Sequence, residues 1–160
     1  MRTALSVRIL TLAMPLIFIA HVVEEAPGFV AWFNSLVNPP ITQALFLSVN
    51  ATAFVITIIV AVLVATVHDT LVGLIGVAWV GFLMLANGLF HIVATIALSR
   101  YCPGVATATL LYLPFSVFFV RAVAREFGLN SLVASSVALL GGVPMYIHGY
   151  LIVFLGSRLF

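Results

Sequence analysis

The sequence predicts an all-α bundle of about five membrane-spanning helices, with a short interfacial helix between the first and second spans, and two observations lead to this fold class. Of the 160 residues, 64% are hydrophobic and only 6% are charged, whereas roughly a quarter of the residues in an ordinary soluble domain are charged. The chain also contains five apolar stretches that are each long enough to cross a bilayer, which takes about 20 helical residues. Helices suit these stretches because in lipid they satisfy every backbone hydrogen bond within one segment. We therefore treat residues 1–160 as a single transmembrane domain.

The spans are predicted in order from the apolar stretches and from the turn residues between them. They cover residues 5–25, 41–67, 71–98, 105–123 and 131–154, each bound being approximate. Proline, glycine and polar residues mark the breaks. The longest connection, between the first two spans, carries Phe29, Trp32 and Phe33, and such aromatic residues favour a helix lying in the membrane interface.

The arginine residues predict how the chain is oriented. Cytoplasmic loops of membrane proteins carry an excess of Lys and Arg, and four of the six basic residues fall on the side of the N-terminus: Arg2, Arg8, Arg121 and Arg125. We expect an integral protein of the cytoplasmic membrane with its N-terminus inside and its C-terminus outside. The arginines are scattered singly, which excludes a basic stripe for nucleic acid. The expected partners are membrane lipid and a lipidic or apolar small molecule, and the sequence indicates no oligomeric state.

A layer of polar residues crosses the predicted bundle at one depth. With a rise of about 1.5 Å per residue, His21 lies about 9 Å, His91 about 13 Å and His148 about 15 Å below the outer ends of their helices. Asn50 and Tyr112 come at roughly 12–14 Å on the two remaining spans. Ionisable groups inside a span are costly and usually face the bundle interior or a water-filled cavity, so we expect the three histidines of this layer to belong to one site.

The ligands of a metal ion are predicted within this layer. His21, Glu24 and Glu25 stand at positions i, i+3 and i+4, which share one face of a helix. Imidazole nitrogens with a carboxylate oxygen suit a divalent metal ion, with zinc favoured and iron or manganese as further candidates. The predicted ligands are His21, Glu24, His91 and His148.

Three further residues are predicted to carry the chemistry. Glu25 is expected to act as a general base towards bound water. Asn87, one helical turn before His91, and Tyr112 are expected to bind or polarise a substrate carbonyl. For Glu25 the alternative is a residue that faces the lipid headgroups. For the predicted ligands His21, Glu24, His91 and His148, the alternative is a polar network that only joins the helices. His68, beside Asp69 at the inner boundary, is predicted to lie outside the site.

Three sequence segments together resemble the HXXEE-motif family of small membrane proteins. They are His21-Val-Val-Glu24-Glu25, Asn87-Gly-Leu-Phe-His91 and Tyr101-Cys-Pro103-Gly104. The resemblance covers most of the chain and implies a membrane protein suspected of binding metal, with no assigned reaction.

The predicted function is that of a metal-dependent intramembrane hydrolase acting on a lipidic or apolar substrate near the outer interface. A metal ion can bring the pKa of bound water to about 7 and so supply hydroxide at neutral pH. Three alternatives stay open: an iron-dependent oxygenase or desaturase, a metal-free isoprenoid isomerase or cyclase that uses a glutamic acid, and a non-enzymatic ion or proton carrier.

Overall fold

The computed structural model of the protein describes residues 7–157, which form helices joined by short turns. The helices are α1 (Val7–Glu25), α2 (Phe29–Asn34), α3 (Gln43–Thr66), α4 (Thr70–Val80), α5 (Asn87–Ala97), α6 (Val105–Thr107), α7 (Leu113–Glu126), α8 (Ser131–Gly141) and α9 (Val143–Leu155). Two π-helical segments, Gly81–Ala86 and Ala108–Tyr112, join α4 to α5 and α6 to α7. The predicted all-α bundle is therefore confirmed.

The helices have the length and composition of membrane spans. Among the described residues, four stretches are long and apolar enough to cross a bilayer, and α8 and α9 make a fifth if this pair, bent by 43°, counts as one span. Large apolar side chains also cover the outside of the bundle: Leu12, Leu110 and Leu132 are each more than 70% exposed. A surface of this kind fits a membrane protein, because lipid removes the cost of exposing apolar groups to water. Arg2, which was used to predict the orientation, lies outside the described residues.

Close helix approach holds the centre of the bundle together. A Cβ atom on Gly81 would lie 2.0 Å from the Ala138 carbonyl oxygen, and one on Gly141 would lie 2.4 Å from the Ala78 carbonyl oxygen. Small residues at such contacts let backbones pack against one another, which is how helices associate in lipid. The spacing of α8 from α4 and the first π-helical segment therefore depends on these two glycines.

The breaks in the long helices carry the polar residues. The first π-helical segment leads directly into Asn87 at the start of α5, and the second ends at Tyr112. Single π-helical turns are frequent at functional sites because they rotate the side chains that follow. The bend between α8 and α9 falls at Gly142, with Pro144 in the first turn of α9, where a proline is tolerated.

The short helix α2 covers one end of the bundle. Trp32 and Phe33 are buried in an apolar cluster with Phe90 and Cys102. The Arg100 guanidinium lies 5.5 Å from the centre of the Trp32 ring. The predicted helix between the first two spans is thus present, and it packs against α5 and the turn that carries Cys102.

Candidate metal centre

His21, Glu25 and His91 come together at the covered end of the bundle. Each offers one possible metal-ligating atom, and these atoms all lie within 4.8 Å of one another. Glu25 Oε1 is 3.6 Å from His21 Nε2 and 3.1 Å from His91 Nε2. His21 and Glu25 stand at i and i+4 on the last turns of α1, so one helix face supplies two groups, and α5 brings the third. The structure therefore contains a buried group that could hold a metal ion.

The group is closed off from its surroundings. His21 is 1% exposed, Glu25 5% and His91 0%. A Cβ atom on Gly104, whose φ is +100°, would lie 2.7 Å from His91 Cε1, 2.9 Å from His21 Cε1 and 3.0 Å from Glu25 Cγ. The turn at Gly104 thus covers the site with bare backbone. The Phe29 ring of α2, whose centre is 5.9 Å from that of His91, covers it from another side.

One nitrogen at the centre lacks a hydrogen bond. His91 Nε2 is buried and has no hydrogen-bond partner among the described residues, although Glu25 Oε1 is close to it. The contact has the length of a hydrogen bond but not its direction. The other ring nitrogen, Nδ1, lies 3.2 Å from Cys102 Sγ. A buried nitrogen that stays unsatisfied is uncommon, and here it belongs to the group of residues that could hold a metal ion.

Glu24 is directed away from this group. Its carboxylate accepts hydrogen bonds from the Tyr101 hydroxyl at 2.5 Å, from Thr107 Oγ1 at 2.5 Å and from three backbone N–H groups, those of Gly104, Ala106 and Thr107. These N–H groups belong to the first turn of the helix that begins at α6, where an anion is favourable. Glu25 rather than Glu24 thus lies between the imidazoles, and Glu24 joins α1 to α6.

Tyr101 and Cys102, in the turn between α5 and α6, have raised pKa values. The hydrogen bond to Glu24, with some burial, raises the pKa of Tyr101 to about 12, so that its hydroxyl remains a donor. Burial raises the pKa of the Cys102 thiol well above its usual value, so the thiol keeps its proton at neutral pH. Its sulfur can then accept a hydrogen bond from His91 Nδ1.

Tyr112 and Asn87, predicted as catalytic residues, lie beside the group. The Tyr112 ring packs on the His21 ring with centres 4.2 Å apart. Its hydroxyl is buried and has no hydrogen-bond partner among the described residues. Asn87 Nδ2 is 3.4 Å from His21 Nε2. Both residues therefore accompany the group, which is compatible with the roles predicted for them.

The other polar residues of the predicted layer have different surroundings. His148 is buried in α9 and is not part of the three-residue group, so its role as a ligand stays a prediction. Asn50 donates a hydrogen bond to the Phe46 carbonyl in its own helix. His68 is exposed and stacks on Phe127.

Two functional candidates were missed from the sequence. Thr107 Oγ1 lies 2.8 Å from His21 Nδ1, and Gly104 packs directly on the three ligand side chains. A short polar residue one turn after a Pro-Gly break, at the start of a span, was the available signal for Thr107. The role of Gly104 depends on which helices meet, and nothing local in the sequence indicates it.

The donor set decides what the group can do chemically. Two imidazoles and one carboxylate are the ligands that zinc, iron and manganese accept. Catalytic zinc sites keep three protein ligands and leave a further position for water or substrate. A site with this set of residues can therefore activate water, provided that a metal ion binds.

Comparison with known proteins agrees with the resemblance drawn from the motifs. A family model described as "Protein of unknown function with HXXEE motif" matches residues 12–119, more than half of the chain. No curated protein and no solved structure showed a significant match. The matched segment contains His21, Glu24, Glu25 and His91. The chain belongs to the family of proteins of unknown function with an HXXEE motif.

Proposed function

We propose that this protein is a metal-dependent membrane hydrolase that cleaves an ester or amide of a lipidic substrate. The observation that carries the proposal is the buried group of His21, Glu25 and His91, whose ligand atoms lie within 4.8 Å of one another. The unsatisfied His91 Nε2 supports a cation at its centre. Zinc is the first candidate, with iron and manganese as alternatives.

The three side chains would hold the ion, with Glu25 taking the place that the sequence suggested for Glu24. When bound, a divalent metal lowers the pKa of a water molecule to about 7 and polarises a carbonyl oxygen. Glu25 has two carboxylate oxygens, and Oε1 is the one that faces both imidazoles. The second oxygen would accept the proton of the attacking water and return it to the leaving alcohol or amine.

Tyr112 would act on the substrate carbonyl. Its buried hydroxyl has no hydrogen-bond partner among the described residues, and its ring lies on His21. A fixed donor of this kind stabilises the oxyanion that forms when water adds to a carbonyl, and its removal typically costs about 10²–10³-fold in rate. Water adds across the C–O or C–N bond, and a carboxylic acid and an alcohol or amine leave.

The surroundings of the site favour an apolar substrate that arrives from the membrane. The group lies at the end of α1 and below the aromatic residues of α2. Of the described arginines, Arg8, Arg121 and Arg125 stand near the other end of the bundle, and Arg100 stands near the site. By the positive-inside rule, we place the N-terminus in the cytoplasm, the C-terminus outside and the site in the outer half of the cytoplasmic membrane.

The test is turnover by untagged protein purified in detergent. We would supply three substrate classes, a glycerophospholipid, an N-acyl lipid amide and an isoprenyl ester, and measure the released acid and alcohol or amine. We expect hydrolysis of one class that a chelator abolishes and added metal restores. Tyr112→Phe should keep the metal and lose about 10²–10³-fold in rate, whereas His91→Ala should lose both.

Two results would contradict the proposal. Hydrolysis that persists in His91→Ala and in chelator would show that the three-residue group is not the catalytic site. Protein that holds its metal but releases no product from any of the three substrate classes would contradict a hydrolase function. It would favour the oxygenase or carrier alternatives.

A further inference from the structure

A chain of hydrogen bonds connects Glu24 to His21 through the hydroxyl of Thr107. Thr107 Oγ1 is 2.5 Å from Glu24 Oε2 and 2.8 Å from His21 Nδ1. The same hydroxyl is 3.2 Å from the Gly104 carbonyl oxygen. The hydroxyl of Thr107 thus bridges the Glu24 carboxylate and the His21 ring.

The protons in this chain can be assigned by counting donors. A threonine hydroxyl has one proton and can also accept hydrogen bonds. Two of its three neighbours, the Glu24 carboxylate and the Gly104 carbonyl, are acceptors. The Glu24 carboxylate accepts hydrogen bonds from five donors, and these favour its unprotonated form, which only accepts. The hydroxyl proton therefore goes to an acceptor, and His21 Nδ1 must donate to the threonine oxygen.

This assignment leaves His21 Nε2 without a proton, because a neutral imidazole carries only one. Nε2 is the nitrogen that faces Glu25 Oε1 at 3.6 Å. The contact with Asn87 Nδ2 agrees, since an amide NH₂ only donates hydrogen bonds. A histidine that binds metal through one nitrogen usually donates the proton of the other nitrogen to a neighbouring acceptor, which fixes its tautomer and orientation.

We propose that Thr107, supported by Glu24, is a positioning residue that holds His21 in the Nδ1–H tautomer and so presents its Nε2 lone pair to a divalent cation at the group of His21, Glu25 and His91. The inference builds on the metal ion of the proposed function but not on its reaction. This role also accounts for the position of Glu24, which does not face the cation: its carboxylate oxygen accepts the hydroxyl proton of Thr107 and so orients the threonine.

If Thr107 had only a structural role, removing its hydroxyl would change the stability of the protein but not the tautomer of His21. Glu24 holds the start of α6 through three backbone N–H groups, and these do not depend on the threonine hydroxyl. Thr107→Val removes the hydroxyl and keeps the branched shape, so it should leave the helix junction intact. Thr107→Ser keeps the hydroxyl and is the matched control. Both variants should unfold within a few degrees of the unsubstituted protein.

The experiment reads the tautomer and the affinity separately. Protein labelled with ¹⁵N-histidine is studied by NMR without metal, with His21 signals assigned by their loss in His21→Gln. Zn²⁺ affinity is measured by competition with a chelator. We expect a protonated Nδ1 and an unprotonated Nε2 at His21, a shift towards the Nε2–H form in Thr107→Val, and a 10–100-fold loss of Zn²⁺ affinity in that variant. Thr107→Ser should keep its Zn²⁺ affinity within about threefold of the unsubstituted protein, clearly less than the 10–100-fold loss expected for Thr107→Val.

The outcomes separate this inference from the proposed function. A proton on Nε2 in the unsubstituted protein, or unchanged tautomer and affinity in Thr107→Val, would overturn the positioning role. Failure of the unsubstituted protein to bind zinc, iron or manganese would overturn the proposed function, while the metal-free NMR result would still decide the tautomer.

Discussion

Gly104 provides the sharpest test of how the turn after α5 fits the candidate metal centre. In Gly104→Ala, the new Cβ would lie 2.7 Å from His91 Cε1, 2.9 Å from His21 Cε1 and 3.0 Å from Glu25 Cγ. Contacts below 3.0 Å force atoms to move, and overpacking of this kind costs about 1–3 kcal/mol. The positive φ adds about 1–2 kcal/mol for any residue with a side chain. We expect a total destabilisation of about 2–5 kcal/mol.

The same substitution should weaken metal binding, because the three atoms it approaches belong to the three ligand residues. If the strain makes the free energy of metal binding less favourable by about 1.4 kcal/mol, the affinity for metal falls tenfold. The assay is Zn²⁺ competition with a chelator, together with the unfolding temperature in detergent. We therefore expect at least a tenfold rise in the dissociation constant and a clearly lower unfolding temperature.

Gly128→Ala is the matched control. Gly128 also has a positive φ, +64°, but nothing lies within 4 Å of its added Cβ. It should show the backbone cost of about 1–2 kcal/mol and keep its affinity for metal. If Gly104→Ala binds Zn²⁺ like the unsubstituted protein and is no less stable than Gly128→Ala, then the turn does not pack on the ligands as described.

Three further substitutions test other contacts. Cys102→Ala removes the acceptor of the His91 Nδ1 proton and should weaken Zn²⁺ binding 10–100-fold, whereas Cys102→Ser should bind more tightly than Cys102→Ala; equal affinities would contradict this. Gly81→Ala would place its Cβ 2.0 Å from the Ala138 carbonyl oxygen and should destabilise the bundle by about 3 kcal/mol or more, seen as loss of folded protein on size-exclusion chromatography. Asp69 accepts hydrogen bonds from backbone N–H groups at the start of α4, so Asp69→Ala should cost about 1 kcal/mol and Asp69→Asn less; equal unfolding temperatures for the two variants would count against the cap.

The fold and part of the site could be predicted from the sequence because both follow from short-range rules. Apolar stretches of sufficient length mark the spans, and the long helices lie on those stretches. The common depth of His21 and His91 rests only on the rise per residue, and these two side chains meet in the structure. Depth along a helix is therefore readable without knowledge of the packing.

The division of roles between Glu24 and Glu25 could not be read in the same way. Positions i+3 and i+4 both lie on the face of His21, so the helix alone does not decide which carboxylate faces α5. The contacts with α6 distinguish the two carboxylates. Backbone N–H groups at the start of α6 donate hydrogen bonds to Glu24, and Glu25 therefore lies between the imidazoles. The π-helical segments were also unpredicted; one ends directly before Asn87 and the other ends at Tyr112.

We expect His21, Glu25 and His91 to bind one metal ion, and elemental analysis of untagged protein purified in detergent tests this most directly. The unsubstituted protein is compared with His91→Ala and with His68→Ala, the exposed histidine at the other end of the bundle. We expect close to one zinc, iron or manganese ion per chain, lost in His91→Ala and retained in His68→Ala. Folded, unsubstituted protein without metal, or equal metal content in all three proteins, would contradict it.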